Sequence, residues 1–284
     1  MRRINLGWVA SVALFAVLLS ILLLAAATTP LHYTDGFRNV GKVTSIEQSY
    51  GPDPAQVVTV TRPATGDGRT VIWLHGGGWS AGGRGSLESE AATWAANGWV
   101  SLNVSYRLGV AQDDGKLILA DVATVLAKYR TASYVDPARI VVYGESAGGH
   151  LATWLGSYKG AQIKAIIALS PVSSVQGAIT AGQAPDAPDN VRNLGTRAAE
   201  FFGYSVGTTD AHRYLGRVQH ALVAVSTDEW VDPDIHGRAF CAALTARCRL
   251  LEYSGTLHAG ALADAHPELL TYARQWADVQ VGAR

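Results

Sequence analysis

The strongest chemical signal in the sequence is a serine framed by glycines. Residues 144–149 read GESAGG, which contains the pattern G-x-S-x-G. They follow the apolar segment 140–143, predicted as a strand, and lead into a predicted helix over 147–158. This context is typical of a nucleophile elbow, in which a strained turn exposes the serine Oγ and a helix dipole faces developing negative charge. This context favours a nucleophilic role for Ser146 over the alternative that the glycines form a turn by chance.

A second glycine cluster lies 71 residues before Ser146, where residues 75–79 read HGGGW. The cluster follows the predicted strand 70–74. Three glycines leave backbone N–H groups uncovered, which suits an oxyanion hole whose donors stand about 3 Å from a developing negative oxygen. A phosphate-binding loop is the rival interpretation, but the chain lacks the Gly-Lys-Ser/Thr and G-x-G-x-x-G patterns there. We expect His75 to be structural.

A serine nucleophile needs a histidine base, which in this type of sheet comes last in the chain order. His258 lies directly after the predicted strand 249–253 and before the last predicted helix. That position is the sheet edge where Ser146 is expected, so we predict His258 as the base. The other histidines after the elbow are expected at helix starts or beside an irregular segment: His150, His212, His220, His236 and His266.

The base in turn needs a carboxylate, which should follow the predicted strand 221–225. Asp228 is predicted as this acid, because a short carboxylate close to the strand end is held rigidly. Asp232 precedes a proline and is the first alternative, although it could cap the following helix. Glu229 is the remaining candidate.

These residues require a sheet that brings several strand ends together. Short apolar runs alternate with helical stretches, which predicts a mostly parallel central sheet with helices on both faces. The predicted strands cover 57–61, 70–74, 100–104, 140–143, 163–169, 221–225 and 249–253, and the predicted helices cover 88–97, 116–129, 147–158, 236–246 and 267–279. The segment 171–214 breaks this alternation and is predicted to be a lid-like or cap-like insertion.

Composition excludes several classes of protein. The chain has 284 residues with 23 basic and 23 acidic side chains, so it lacks the basic stripe of a nucleic-acid-binding protein. Two cysteines are too few for a disulfide-dense scaffold or a four-cysteine zinc site. Cys241 and Cys248 are close enough in sequence to form a disulfide, and two buried free thiols remain the alternative.

The first thirty residues differ from the rest of the chain. Residues 6–27 carry no charge and follow Arg2 and Arg3. Their length favours a retained membrane anchor over a signal peptide cleaved after Ala27, and under both interpretations the remainder is exported. We therefore expect an anchor or signal segment over 1–30, a connector over 31–56 and one catalytic domain over 57–284.

The two glycine motifs together resemble the α/β-hydrolase superfamily, and within it the hormone-sensitive-lipase-like esterases. Residues 144–152, GESAGGHLA, are also similar to the acetyl-xylan and feruloyl esterase-like group. The resemblance implies hydrolysis of small carboxylic esters without a cofactor or metal. It also implies oxyanion donors at the amides of Gly77, Gly78 and Ala147, and a structural turn at Tyr106-Arg107-Leu108.

Two departures from that family bear on the substrate. Glu145 stands where the hormone-sensitive-lipase-like enzymes often have aspartate, and only 31–56 precedes the first predicted strand, so 171–214 must roof the pocket. This disfavours long-chain lipase activity. A carbohydrate esterase, an amide hydrolase such as a formamidase or peptidase, and a catalytically silent binding protein remain alternatives. Candidate residues for an acyl or aryl site are aromatic, with core packing as the alternative: Trp79, Phe201, Phe202 and Tyr204.

Overall fold

The central sheet has two antiparallel strands at one side and a parallel remainder. A computed structural model describes residues 42–158, 161–203 and 205–283, which belong to one unit beginning at Arg38. Within these residues the sheet has eight strands in the order β1-β2-β4-β3-β5-β6-β7-β8. The strands are β1 (Val43–Ser49), β2 (Val57–Pro63), β3 (Thr70–Leu74), β4 (Val100–Val104), β5 (Ile140–Glu145), β6 (Ala165–Leu169), β7 (Ala221–Ser226) and β8 (Cys248–Tyr253).

Burial explains the two kinds of strand. From β3 to β7 every residue of each strand is buried, as expected when helices cover both faces of a parallel sheet. In contrast, β1 is polar and mostly exposed, and it pairs antiparallel with β2 at the edge. This strand lies inside 31–56, where the sequence predicted a connector, because a polar edge strand has no buried face to reveal it.

Helices cover the sheet on both sides and confirm the predicted α/β architecture. One side of the core contains Ile118 and Leu151 from the second and third helices, and the other contains Trp94 and Leu269 from the first and last helices. The helices are α1 (Glu88–Ala96), α2 (Asp114–Tyr129), α3 (Ala147–Ser157), α4 (Val175–Gly182), α5 (Asp189–Phe202), α6 (Val206–Thr209), α7 (Gly237–Leu244), α8 (Gly260–Ala265) and α9 (Pro267–Gln280).

The inserted segment 171–214 is helical rather than irregular. It contains α4, α5, α6 and most of a 3₁₀ turn, Ala211–Arg217. Helix α5 forms because its apolar residues recur on one face, and the residues that it buries include Leu194, Ala198, Phe201 and Phe202. The abundant Gly, Asp and Asn residues of this segment hid that periodicity.

Two further expectations concern the cysteines and the N-terminal segment. Cys241 in α7 and Cys248 in β8 form a disulfide. Among the described residues, no helix is both long and apolar enough to cross a membrane. The predicted anchor or signal segment over 1–30 lies outside the described residues.

A buried carboxylate ties α2 to the turn that follows β4. Asp121 is fully buried, and its oxygens accept hydrogen bonds from the backbone and guanidinium of Arg107 and from Gln56 Nε2 at 2.7 Å. The residue before Arg107 is Tyr106, whose hydroxyl donates to the carbonyl of His75 at 2.6 Å. Asp121 therefore holds the turn on which the HGGGW loop rests.

We predict that Asp121→Ala lowers the free energy of unfolding by about 2–4 kcal/mol, because removing one partner leaves the Arg107 charge without compensation in a partly buried place. Urea denaturation measures this change. Asp114→Ala, in the first turn of the same helix, removes a carboxylate that accepts hydrogen bonds from two exposed loop amides, and it should cost about 1 kcal/mol. Equal losses in the two variants would contradict the structural role given to Asp121.

Candidate active site

Ser146 occupies a strained turn between β5 and α3. Its backbone has φ 53° and ψ −115°, a conformation that non-glycine residues rarely adopt. Its amide donates to the carbonyl of Leu169 at the end of β6, at 2.9 Å. The tight turn also requires a small residue at Gly144, where a Cβ would lie 2.1 Å from the carbonyl oxygen of Gly148. Glycine pattern and backbone strain together place the Oγ at the carboxyl edge of the sheet.

His258 faces this serine from the loop between β8 and α8. Its Nε2 lies 2.9 Å from Ser146 Oγ. Neighbouring residues anchor the loop on both sides, because the amide of Ala259 donates to Ser170 Oγ at 2.9 Å and the carbonyl of Leu257 accepts from Ser226 Oγ. The structure thus brings together the predicted nucleophile and the predicted base.

The carboxylate at His258 belongs to Glu229. Its Oε2 lies 2.6 Å from His258 Nδ1, and its Oε1 accepts from the amide of Ser226 at 3.1 Å. The Glu229 side chain is fully buried, whereas that of His258 is 19% exposed. With the Nδ1 proton donated to Glu229, His258 Nε2 is left to accept the proton of Ser146. The geometry is that of a Ser–His–acid relay.

The prediction of Asp228 as the acid was wrong in position by one residue. Asp228 is exposed, its Oδ2 accepts from Thr227 Oγ1, and its amide donates to the carbonyl of Gly255. The turn after β7 therefore directs this short side chain to solvent, and the longer Glu229 side chain reaches inward. The one sequence signal that favours Glu229 is that the apolar residues 230–231 follow it directly.

The other predicted alternatives lie away from the relay. Asp232 caps a turn by accepting from the amide of Asp234. Burial lowers the pKa of His236 to about 3, and its Nδ1 accepts from the amide of Ser174. Hydrogen bonds to other groups also occupy three further histidines: His150 with Thr209, His212 with Ser173, and His266 with Glu268.

The HGGGW loop lies directly beside the nucleophile. A Cβ on Gly76 would stand 3.3 Å from Ser146 Cβ. Gly77 has φ 116°, and a Cβ there would collide with the carbonyl oxygen of Ala81, so only glycine fits. Within the described residues, the amides of Gly77 and Gly78 donate to no acceptor. Ala147 begins α3, and its amide therefore has no intrahelical acceptor.

The base of this loop is held by aromatic packing. His75 stacks on Tyr106 with ring centroids 4.2 Å apart and planes 6° from parallel. Burial lowers the pKa of His75, which favours the neutral ring. The arrangement supports the structural role expected for His75 and for the turn at Tyr106.

The candidate aromatic residues are mostly core residues. Trp79 and Phe202 are fully buried, and Trp79 Nε1 donates to His150 Nδ1 at 3.1 Å. Phe201 is also buried, and Tyr204 lies outside the described residues. A different aromatic residue faces the relay, because the rings of Trp230 and His258 lie 4.8 Å apart. Trp230 and Glu229 also line a cavity of about 650 Å³ beneath α4 and α5.

Glu145, immediately before the nucleophile, is buried. Tyr143 donates to its Oε1 at 2.7 Å, and the negative charges of Glu90 and Asp264 are close enough to repel its own. Burial, reinforced by these two carboxylates, raises the pKa of Glu145 to about 7. In the part of the chain that the structure describes, no group of three or more His, Cys, Asp or Glu side chains is arranged to hold a metal ion.

The chain has the α/β-hydrolase fold that the sequence motifs predicted, and its site aligns a serine, a histidine and a carboxylate in the order that serine hydrolases use. The family model described as BD-FAE matches residues 59–179, a range that includes both glycine motifs. No curated protein matches the chain.

Solved esterase structures share this fold. An esterase/lipase from an uncultured bacterium is 16% identical with a TM-score of 0.67, covering 92% of this chain and 97% of that one. Esterase B from Lactobacillus rhamnosis is 17% identical with a TM-score of 0.66, covering 95% and 96%. Thermogutta terrifontis esterase 2, phosphonylated by sarin, is 19% identical with a TM-score of 0.67, covering 87% and 97%. At these identities the likeness concerns the fold.

The relay predicts different effects for two adjacent acidic residues. Glu229→Gln should lower kcat for ester hydrolysis by about 10³–10⁴-fold, because the amide cannot hold the same His258 tautomer or stabilise its cation. Asp228→Asn is the matched control and should change kcat by less than about 3-fold, because that side chain faces solvent. Steady-state kinetics on both variants measure this, and a larger loss in Asp228→Asn would contradict the assignment.

The raised pKa of Glu145 predicts a pH-dependent stability. The folded protein holds the Glu145 proton more tightly than the unfolded chain, whose ordinary pKa is 4.5. Stability contributed by this group is therefore lost as pH rises from about 4.5 through about 7.

The free energy of unfolding of Glu145→Gln minus that of the wild type should increase by about 2–3 kcal/mol as the pH rises from about 5 to about 8. Urea denaturation of both proteins across this range provides the measurement. A pH-independent difference between them would show that Glu145 does not titrate there.

Proposed function

We propose that this protein is a serine carboxylesterase that hydrolyses short-chain or aryl carboxylic esters. The observation that carries the proposal is the continuous contact from Ser146 Oγ through the His258 imidazole to the buried Glu229 carboxylate. The HGGGW loop beside the same serine has amides that donate to no acceptor within the described residues. Such amides supply the oxyanion donors that acyl transfer also requires.

In the proposed mechanism His258 Nε2 takes the proton of Ser146 as Oγ attacks the ester carbonyl carbon. Glu229 stabilises the resulting imidazolium through its contact with Nδ1. The negative oxygen is stabilised by the amides of Gly77, Gly78 and Ala147. The imidazolium then protonates the leaving alcohol, and water attacks the acylated serine with the same base to release the acid.

The cap supports small substrates. Residues of α4 and α5 line the cavity beside Trp230, among them the small residues Ala178 and Ala181 of α4. Two similar structures contain small acyl groups: EstE5 soaked with p-nitrophenyl butyrate, and Thermogutta terrifontis esterase 2 with butyrate bound. These two structures support, for this chain, a preference for short acyl chains.

We further propose that the catalytic domain works outside the cytoplasm. The uncharged segment 6–27 behind two arginines favours export. The Cys241–Cys248 disulfide supports the same proposal, because disulfides persist mainly in oxidising compartments. The membrane would then be a partner of the N-terminal segment, if that segment remains uncleaved.

A second candidate is removal of acetyl or feruloyl groups from carbohydrate. It is favoured by the resemblance of residues 144–152 to that group of esterases, together with the proposed export. Comparing p-nitrophenyl butyrate, acetylated xylan and an ethyl ferulate ester separates the two candidates. Anilides with the same acyl groups test the remaining alternative, an amide hydrolase.

Ser146→Ala should lower p-nitrophenyl acetate hydrolysis by at least about 10³-fold, because it removes the nucleophile and leaves only binding and oxyanion stabilisation. Ser86→Ala is the matched control, since Ser86 is an exposed serine whose hydroxyl donates to the carbonyl of Gly83. Its activity should equal that of the wild type. Equal rates in Ser146→Ala and wild type would overturn the proposed function.

A further inference from the structure

Arg197, on the cap helix α5, reaches the oxyanion loop. Its Nη1 lies 2.8 Å from the position that a Cβ on Gly78 would occupy, and its Cδ and Cζ lie within 4.0 Å of that position. Gly78 has φ 57°, and its amide is one of the two that donate to no acceptor in the described chain. The guanidinium therefore lies across the glycine whose amide faces the reacting carbonyl in the proposed mechanism.

This cation has no partner in the described part of the chain. Arg197 makes no ion pair, hydrogen bond or ring contact there, although Glu200 lies one turn further along the same helix. Arg192, also on α5, is different because its guanidinium donates to the carbonyls of Pro185 and Ala187. Arg197 is also exposed, so its five donors remain available to a molecule that enters the site.

The cavity beside Trp230 differs from Arg197 in charge. Acidic residues line this cavity, and Arg238, which also lines it, is already paired with Asp234 and Glu252. The acidic residues that line the cavity besides Glu229 are Asp186, Asp228, Asp232 and Asp234. An anionic group on a substrate is therefore repelled from this acidic cavity and attracted to the Arg197 guanidinium.

We propose that Arg197 is a specificity-determining residue that selects esters carrying a carboxylate close to the scissile bond. A guanidinium binds a carboxylate through two parallel hydrogen bonds, which fixes orientation as well as position. With its carboxylate on Arg197, an ester is held with its carbonyl beside the amides of Gly77 and Gly78. The inference rests on the proposed esterase function and names a substrate class for it.

The test compares the hydrolysis of anionic and neutral esters of similar size by the full-length protein, measured by titration of the released acid. In the first pair, monoethyl glutarate carries the carboxylate in its acyl part, and ethyl pentanoate is its neutral counterpart. In the second pair, O-butyrylglycolate carries the carboxylate in its alcohol part, and ethyl butyrate is its neutral counterpart. The wild type should have the higher kcat/KM for the anionic member of at least one pair, and the pair that shows this preference identifies which part contacts Arg197.

Arg197→Gln should lower kcat/KM for the preferred anionic ester by about 10- to 30-fold through KM, with the neutral ester changed by less than about 3-fold. Arg197→Lys should recover part of the preference, because it keeps the charge without the two-pronged geometry. Arg192→Gln is the matched control from the same helix and should behave as wild type.

Two results would overturn the inference in distinguishable ways. Hydrolysis of the neutral esters without preference for either anionic ester, or an equal loss for both members of a pair in Arg197→Gln, would remove the role of Arg197 and leave the esterase intact. Absence of hydrolysis of every ester by the wild type would overturn the proposed function itself.

Discussion

The contact between His258 and its two partners depends on where three parallel strands end. Ser146 follows β5, Glu229 follows β7 and His258 follows β8. Because β5, β6, β7 and β8 are parallel neighbours, these turns leave the sheet at the same edge. The Oγ–Nε2 distance of 2.9 Å and the Nδ1–Oε2 distance of 2.6 Å follow from this convergence. A one-residue change of register in β7 would turn Glu229 away from the imidazole.

Much of the remaining structure keeps this geometry fixed. The strained backbone of Ser146 is stabilised by its bond to Leu169 and by the glycines that allow α3 to approach the strand. The loop of His258 is fixed through Ser170 and Ser226, so strands without a catalytic side chain also contribute. On the other side, Asp121 supports the turn under the HGGGW loop. The site is therefore rigid because each of its loops is hydrogen-bonded to a neighbouring buried element.

The sequence was informative where a residue's role depends on its position along a strand. Strand ends and glycine patterns located Ser146, His258 and the HGGGW loop, because these depend on local backbone geometry. The choice between Asp228 and Glu229 depends on which way one side chain leaves a turn, and that direction is set by the contact of the turn with Gly255. Strand β1 and helix α5 were missed for other reasons: β1 is a polar edge strand without a buried face, and the Gly, Asp and Asn residues of the insertion hid the apolar face of α5.

The most direct test of the relay is the proton between His258 and its carboxylate, observed by proton NMR. A hydrogen bond between an imidazole Nδ1 and a buried carboxylate gives a proton resonance far downfield of the other amides and ring protons. We expect this resonance in the wild type and in Asp228→Asn, and we expect its loss in Glu229→Gln. Its persistence in Glu229→Gln together with its loss in Asp228→Asn would contradict the assignment of Glu229 as the acid.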